Sequence, residues 1–354
     1  MIRVVIAEDS LTVRELLVEI LESDPEIRVV GQAKNGAEAV ELALLLKPDL
    51  ITMDVHMPLM NGFEATKEIM VQVPTPIIIV SSSASREDMG HSFDAMRAGA
   101  LMVVVKPDNP RSAVFSGRRE QFLAMAKAMA QVKVVRRWAP RAPAVVPPMG
   151  PSRISDASPR CRLVAITAST GGPTALQRIL ADLPRDFPVP ILVVQHIAAG
   201  FVAGFADWLN ASCNLRVKVA ASGEPLLAHS VLLPPDDRHL GVSRDARVVV
   251  SDAAPLNGFR PSGTYLFESA ARAYGASVAA IILTGMGSDG VDGLKAVKAA
   301  GGRVLAQDEA SSVVYGMPRE AVAAGVVDAV LPLDDVAQYL MELTVGPGRA
   351  EERA

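Results

Sequence analysis

Ser169, His196 and Asp289 offer a hydroxyl, an imidazole and a carboxylate, the groups that together make a serine nucleophilic near neutral pH. Ser169 lies in TASTGGP, where a strand-like run passes into a helical one. The arrangement follows the nucleophile-elbow pattern G-x-S-x-G, with Thr167 in place of the first glycine. Gly171 and Gly172 relieve crowding in a sharp turn, and Pro173 suits the first helical position. A serine placed there points out of the sheet edge, beside helix-start N–H groups able to receive an oxyanion. The same serine could instead cap the helix. His196 ends the apolar run ILVVQ and so belongs to the same edge, which makes it the natural base. His239 and His229 fall in short β segments and read as surface or packing residues, and His91 falls in a helix. Asp289 follows SVAAIILT, where it could hold the imidazole tautomer.

The turn that carries Asp289, GMGSDG, also matches G-x-G-x-x-G, and Asp308 follows 18 residues after Gly290. That spacing fits a dinucleotide loop. Against it, a helix start should welcome a pyrophosphate rather than supply its own anion beside it. The unit also comes late in its domain, whereas such a fingerprint normally opens one.

A second constellation stands near the amino terminus: Glu8, Asp9, Asp54, Ser81 and Lys106, each at the end of a strand-like run. Three carboxylates at one sheet edge repel each other unless a hard cation neutralises them, and Mg²⁺ takes oxygen ligands of this kind. A central carboxylate can attack a phosphoryl group to give an acyl phosphate. Cation, lysine and hydroxyl would then stabilise the phosphoryl oxygens. A single acid of this sort could merely cap the following helix; the joint pattern is harder to explain so.

The elements that must position these groups are legible as two sets of alternating runs. Strand-like segments at 2–7, 27–32, 49–53, 76–80 and 101–105 alternate with amphipathic segments at 11–22, 37–46, 63–71, 87–98 and 117–133. Five β-α units predict a doubly wound parallel sheet with its site beyond the C-terminal strand ends. From 161 the pattern restarts, with strands at 161–167, 191–196, 277–284 and 303–307, several short strands over 215–250, and helices between them. The fold class expected is α/β twice over: a flavodoxin-like unit, then a mostly parallel α/β unit with a possible antiparallel edge.

Residues 134–160 hold five arginines, one aspartate and six prolines and lack periodic apolar content, so they read as a stiff linker. The expected division is 1–133, linker 134–160, 161–345 and a tail at 346–354. With 354 residues, half of them hydrophobic, and a net charge of −4, the chain suits soluble folding and gives no electrostatic case for nucleic-acid binding. No apolar run is long enough to span a membrane, and MIRVVIAEDS does not read as a signal peptide. Two cysteines, Cys161 and Cys213, are too few for a disulfide framework or a zinc site, and a cytoplasmic location is expected.

Residues 1–130 resemble the response-regulator receiver family through Glu8, Asp9, Asp54, the MP-x-MNG run Met57 to Gly62, Ser81, Lys106 and Pro107. The resemblance implies Asp54 as phosphoacceptor and Mg²⁺ held by Glu8, Asp9, Asp54 and the backbone carbonyl of His56. It also implies Ser81 and Lys106 as phosphoryl contacts. Val103 stands where many receivers carry an aromatic residue. Residues 161–345 are similar to the catalytic domain of chemotaxis protein-glutamate methylesterases. The similarity runs through ASTGG, QH, RPS, ILTGMGSDG and QDEASSVVYGMPREA. It implies Ser169 as nucleophile, His196 as general base and acid, Asp289 as its orienter and the Met286 N–H in the oxyanion hole, with no cofactor at the esterase site. It further implies hydrolysis of glutamyl methyl esters on chemoreceptors with release of methanol, and a related deamidation of receptor glutamines. A chemotaxis histidine kinase would be the phosphodonor, and the unphosphorylated receiver would cover the esterase site. A DNA-binding output would need a basic helix-turn-helix, which the acidic second half does not offer. A silent phosphoryl sink would lack the triad residues.

Overall fold

The computed structural model describes residues 1–81, 86–106, 115–132, 134 and 161–344. Apart from Val134, the stretch read as a linker lies outside the described residues, as does the tail from 346. Among the described residues two compact units are present, one holding residues 1–134 with 197–208 and the other residues 161–196 with 209–344.

In the first unit β1 (Ile2–Ala7), α1 (Leu11–Glu22), β2 (Ile27–Ala33), α2 (Gly36–Leu46) and β3 (Leu50–Met53) are followed by α3 (Gly62–Gln72), β4 (Ile77–Ser81), α4 (Arg86–Ala98), β5 (Met102–Val105) and α5 (Phe115–Ala130). The strands form one parallel sheet in the order β2-β1-β3-β4-β5. Both faces of its centre are covered, so Val4, Val5, Ile6, Ile51, Ile78 and Ile79 are fully buried. That double burial explains why the strands read as unbroken apolar runs. The order reverses between β1 and β3, and a crevice opens beyond their C-terminal ends at such a switch point. Glu8, Asp9 and Asp54 are the residues that follow those two ends.

The chain continues through β6 (Leu163–Ala168), α6 (Gly172–Asp182), β7 (Ile191–Gln195), α7 (Val202–Ser212), β8 (Arg216–Val219), β9 (Ser230–Leu233), β10 (His239–Val242) and β11 (Val248–Ser251). Then come α8 (Gly263–Tyr274), β12 (Val278–Ile282), α9 (Val291–Ala299), β13 (Arg303–Gln307), α10 (Met317–Ala323), β14 (Ala329–Leu331) and α11 (Val336–Thr344). Seven strands make a sheet in the order β14-β13-β12-β6-β7-β9-β8, and every pairing in it is parallel. The antiparallel pair β10–β11 forms a separate two-stranded sheet and not an edge of the main one. Only Val248 to Ser251 and His239 to Val242 pair there, four residues to a strand, and Leu240 and Val242 are buried in the same core as Leu266 of α8. The first strand, β6, lies at the centre, with β7 on one side and β12 on the other. Ser169, His196 and the Asp289 turn therefore leave the C-terminal ends of three adjacent strands.

Candidate active site and phosphoacceptor pocket

The acidic pocket of the first unit is built on burial. Glu8 and Asp54 are buried, Asp9 is exposed, and one carboxylate oxygen of each lies within 4.8 Å of the others. Lys106, one residue past β5, reaches both buried acids, with Nζ 2.7 Å from Asp54 Oδ2 and 2.9 Å from Glu8 Oε2. Burial pushes both carboxyls above their ordinary range, and for Glu8 the neighbouring Asp54 adds to it. Burial alone would lower the lysine, but its bonds to Asp54 and Glu8 outweigh that and hold it charged. Three acids against one lysine leave surplus negative charge among oxygen donors, a set that fits a hard divalent cation. Ser81 is buried at the end of β4, His56 is exposed, and its N–H donates to Asp54 Oδ1 at 3.3 Å. Val103 is buried within β5.

Two residues that the sequence reading gave no structural role support this pocket. Arg14 Nη1 donates to the carbonyls of Glu8 and Asp9, at 2.6 and 3.3 Å, and so shapes the acidic loop. Gly62 opens α3 against the Asp54 backbone, where a Cβ would stand 2.0 Å from the Asp54 carbonyl oxygen. Asn61 and Glu64 form a capping box at that helix start, which accounts for the MNG sequence locally.

In the second unit the main-chain ladder runs past the strand ends. Ser169 N donates to Thr284 O at 3.0 Å and His196 N to Ala168 O at 2.9 Å. The two candidate residues are thus fixed side by side before their side chains are considered. Gln195 Nε2 donates to both Ser169 O and His196 O, at 2.8 and 2.9 Å, tying the nucleophile turn to the end of β7. The glycines of the turn are forced. Gly171 has φ +77° and a Cβ there would meet Val313 at 2.5 Å, while one on Gly172 would lie 2.1 Å from Gln195 Oε1. Thr167 is buried, and its bulk at the elbow's first glycine position is accommodated by glycine opposite, since a Cβ on Gly263 would come within 2.5 Å of its Oγ1.

His196 Nε2 lies 2.8 Å from Asp289 Oδ2. Asp289 is buried and also accepts from Ser262 Oγ (2.7 Å), Gly263 N (2.6 Å) and Thr264 N (3.3 Å) at the start of α8. Burial works to raise its pKa, but the bonds from His196, Ser262 and Gly263 prevail and hold the carboxyl below its ordinary range. Helix-start amides favour an anion for the same reason. An acceptor-only carboxylate on Nε2 requires the ring proton there, which leaves Nδ1 as the basic nitrogen. Nδ1 is buried and has no hydrogen-bond partner among the described residues.

Met286 lies in the same turn and is 55% exposed, beside Gly285, where a Cβ would stand 2.7 Å from Ser169 Cβ. Gly285 therefore serves close approach to the serine. Asp308 accepts from Ser311 N at 3.0 Å, so its carboxylate is occupied in a local turn. Ser262, Gly263 and Gln195 were missed as functional residues because their partners lie on other elements. A serine before a helical run signals only a cap. His239 is fully buried and stacked on Tyr265, with Nδ1 accepting from Ser262 N at 3.2 Å, which agrees with the packing reading and not the surface one.

Fold and sites together define a two-unit α/β protein, with a Ser–His–Asp constellation in one unit and a receiver-type acidic pocket in the other. Residues 164–340 match the CheB methylesterase family and residues 4–114 the response regulator receiver domain. The protein-glutamate methylesterase/protein-glutamine glutaminase 4 of Myxococcus xanthus is 54% identical, with 98% of each chain covered. Enzyme 3 of that name from Anaeromyxobacter dehalogenans is 52% identical over 96% of this chain and 98% of its own. The crystal structure of the Thermotoga maritima CheB methylesterase catalytic domain, 39% identical, superposes with a TM-score of 0.50 over 52% of this chain and 98% of that one. The chain belongs to the receiver-linked CheB family of protein-glutamate methylesterases.

Proposed function

We propose that the chain hydrolyses γ-glutamyl methyl esters on chemoreceptor cytoplasmic segments, releasing methanol, and deamidates receptor glutamines at the same site. Phosphorylation of Asp54 by a chemotaxis histidine kinase governs the rate. The observation that carries this reading is the His196–Asp289 bond of 2.8 Å at the sheet edge that also bears Ser169.

His196 Nδ1 takes the Ser169 proton while Oγ attacks the ester carbonyl, and Asp289 stabilises the imidazolium that results. General base catalysis of this kind is worth about 10²–10⁴-fold. The Met286 N–H and the start of α6 receive the oxyanion. Imidazolium then protonates the departing methoxide, so methanol leaves and an acyl-enzyme remains. Water, deprotonated by His196, opens the acyl-enzyme to glutamate and restores Ser169. A glutamine side chain follows the same course with ammonia as leaving group. In the receiver, an Asp54 oxygen attacks phosphorus as the P–N bond of the kinase phosphohistidine breaks. Lys106 and Ser81 follow the transferred oxygens. Glu8, Asp9, Asp54 and the His56 carbonyl would hold Mg²⁺, which supplies charge neutralisation when bound. No helix among the described residues is long and apolar enough to cross a membrane.

The test is methanol release from methyl-labelled receptor with and without a small phosphodonor. Ser169→Ala should abolish release and leave receiver phosphorylation intact. Asp54→Asn should retain basal release and lose stimulation. Release by the Ser169 variant would end the hydrolase assignment, and stimulation of the Asp54 variant would end the switch.

A further inference from the structure

Residues 252–262 connect β11 to α8 and carry a feature that the triad leaves unexplained. Asn257 and Gly258 both have positive φ, 50° and 85°, and Leu256 and Phe259 exchange both main-chain hydrogen bonds, at 3.0 and 2.9 Å. This is the signature of a two-residue hairpin turn with both central residues left-handed, for which Asn-Gly is a favoured pair. The turn delivers Phe259 onto the catalytic imidazole: the Phe259 and His196 rings are stacked, 4.6 Å between centroids and 19° between planes.

The neighbouring residues hold that platform still. Arg260 pairs with Asp237 through Nε and Nη2, at 2.8 and 2.7 Å, and its Nη1 donates to the carbonyls of Asp252 and Ala253, both at 3.1 Å. A bidentate guanidinium with two further acceptors fixes both ends of the loop to one side chain. His239 adds a second tether, with Nδ1 accepting from Ser262 N and Nε2 lying 3.2 Å from Ala254 O.

Asp289 restrains His196 at one atom, Nε2. A single hydrogen bond there leaves the ring able to rock about the Nε2···Oδ2 line, and Nδ1 has no partner to resist it. A parallel aromatic face supplies the missing restraint, because it fixes the plane of the ring and with it the direction of the Nδ1 lone pair. The electron-rich face also favours the imidazolium that proton transfer creates. We propose that Phe259 is a positioning residue for His196, mounted on the Asn257-Gly258 turn and anchored by Arg260. The proposal rests on the triad reading given above.

The experiment uses the full-length chain and methyl-labelled receptor, with kcat and KM measured for Phe259→Leu, Phe259→Tyr and Arg260→Lys. Misplacement of a reacting group by an ångström can cost about 10²-fold. Phe259→Leu should therefore lose roughly 10–100-fold in kcat with KM nearly unchanged, and Phe259→Tyr should recover most of it. The ring-current shift of the His196 imidazole protons, read by NMR, should vanish in Phe259→Leu and persist in Phe259→Tyr. Should Phe259→Leu fail to fold, Arg260→Lys decides: it should weaken the ring-current shift and lower kcat without raising KM. A raised KM at constant kcat would make Phe259 a substrate contact and overturn the proposal, as would wild-type kcat in Phe259→Leu. Ser169→Ala runs alongside, and activity there would count against the triad itself.

Discussion

Asp289 illustrates how much of this site is decided at single side chains. It accepts from His196, Ser262, Gly263 and Thr264, so both its oxygens are engaged and its charge is held by the donors rather than by solvent. Asp289→Asn replaces one acceptor oxygen with a donor, opposite groups that are themselves donors. Methanol release should fall by about 10⁴-fold, as expected when an imidazole loses its tautomer partner. The same substitution should alter acid unfolding. A carboxyl held low in the folded chain stabilises it above the ordinary value of about 3.9 and loses that contribution as pH falls through the lower folded value. The stability gap between wild type and Asp289→Asn, measured by denaturant titration, should thus close on acidification. A gap that widens would reverse the assignment. Ser169, His196 and Asp289 were each visible in the sequence because each follows an apolar run. Their geometry was not: that Asp289 meets Nε2, and that Ser262 and Gly263 share it, depends on where α8 begins relative to β12.

At the scale of elements, the sheet does the placing. The three residues leave β6, β7 and β12, which are neighbours, so short loops suffice to bring them together. The turn after β12 also presses Gly285 against the serine. Gly285→Ala would put a Cβ 2.7 Å from Ser169 Cβ and 2.4 Å from Met317 Sδ. The methionine side chain can move, whereas the serine is tied by its backbone N–H to Thr284 O at 3.0 Å. We expect about a 10²-fold loss of kcat, with a smaller loss of stability. A thermal melt beside the kinetics separates the two, and a variant that loses stability but keeps kcat would show that the contact is only packing. Buried parallel strands announce themselves as apolar runs, so both sheets were legible. The place of β10 and β11 was not, because strands of four residues look alike in sequence whether they extend a sheet or stand apart from it. Likewise G-x-G-x-x-G spacing serves two ends: here positive φ at Gly287 and Gly290 shapes a turn that holds Asp289.

Taken whole, the molecule joins a site that works by exact placement to a pocket that works by unbalanced charge. Glu8, Asp9 and Asp54 converge on one volume with Lys106 as counter-ion. Mg²⁺ should raise the melting temperature of the receiver unit by binding the folded chain alone. Asp9→Asn should shrink that rise, and an equal rise in both forms would remove Asp9 from the metal shell. The turn at Asn257-Gly258 has a further consequence, which concerns the lifetime of the enzyme rather than its rate. Glycine offers its neighbour an unhindered backbone amide, so an Asn-Gly pair can close to a succinimide, lose ammonia and reopen with an extra methylene in the main chain. Such a lesion would lengthen the turn under Phe259 while leaving Ser169, His196 and Asp289 chemically intact. Stored protein should then lose activity in step with isoaspartate at 257, mapped by peptide mass spectrometry. Asn257→Gly, which still suits the turn, should start fully active and be spared the decay. If it decays as fast as the parent, the ageing lies elsewhere in the chain.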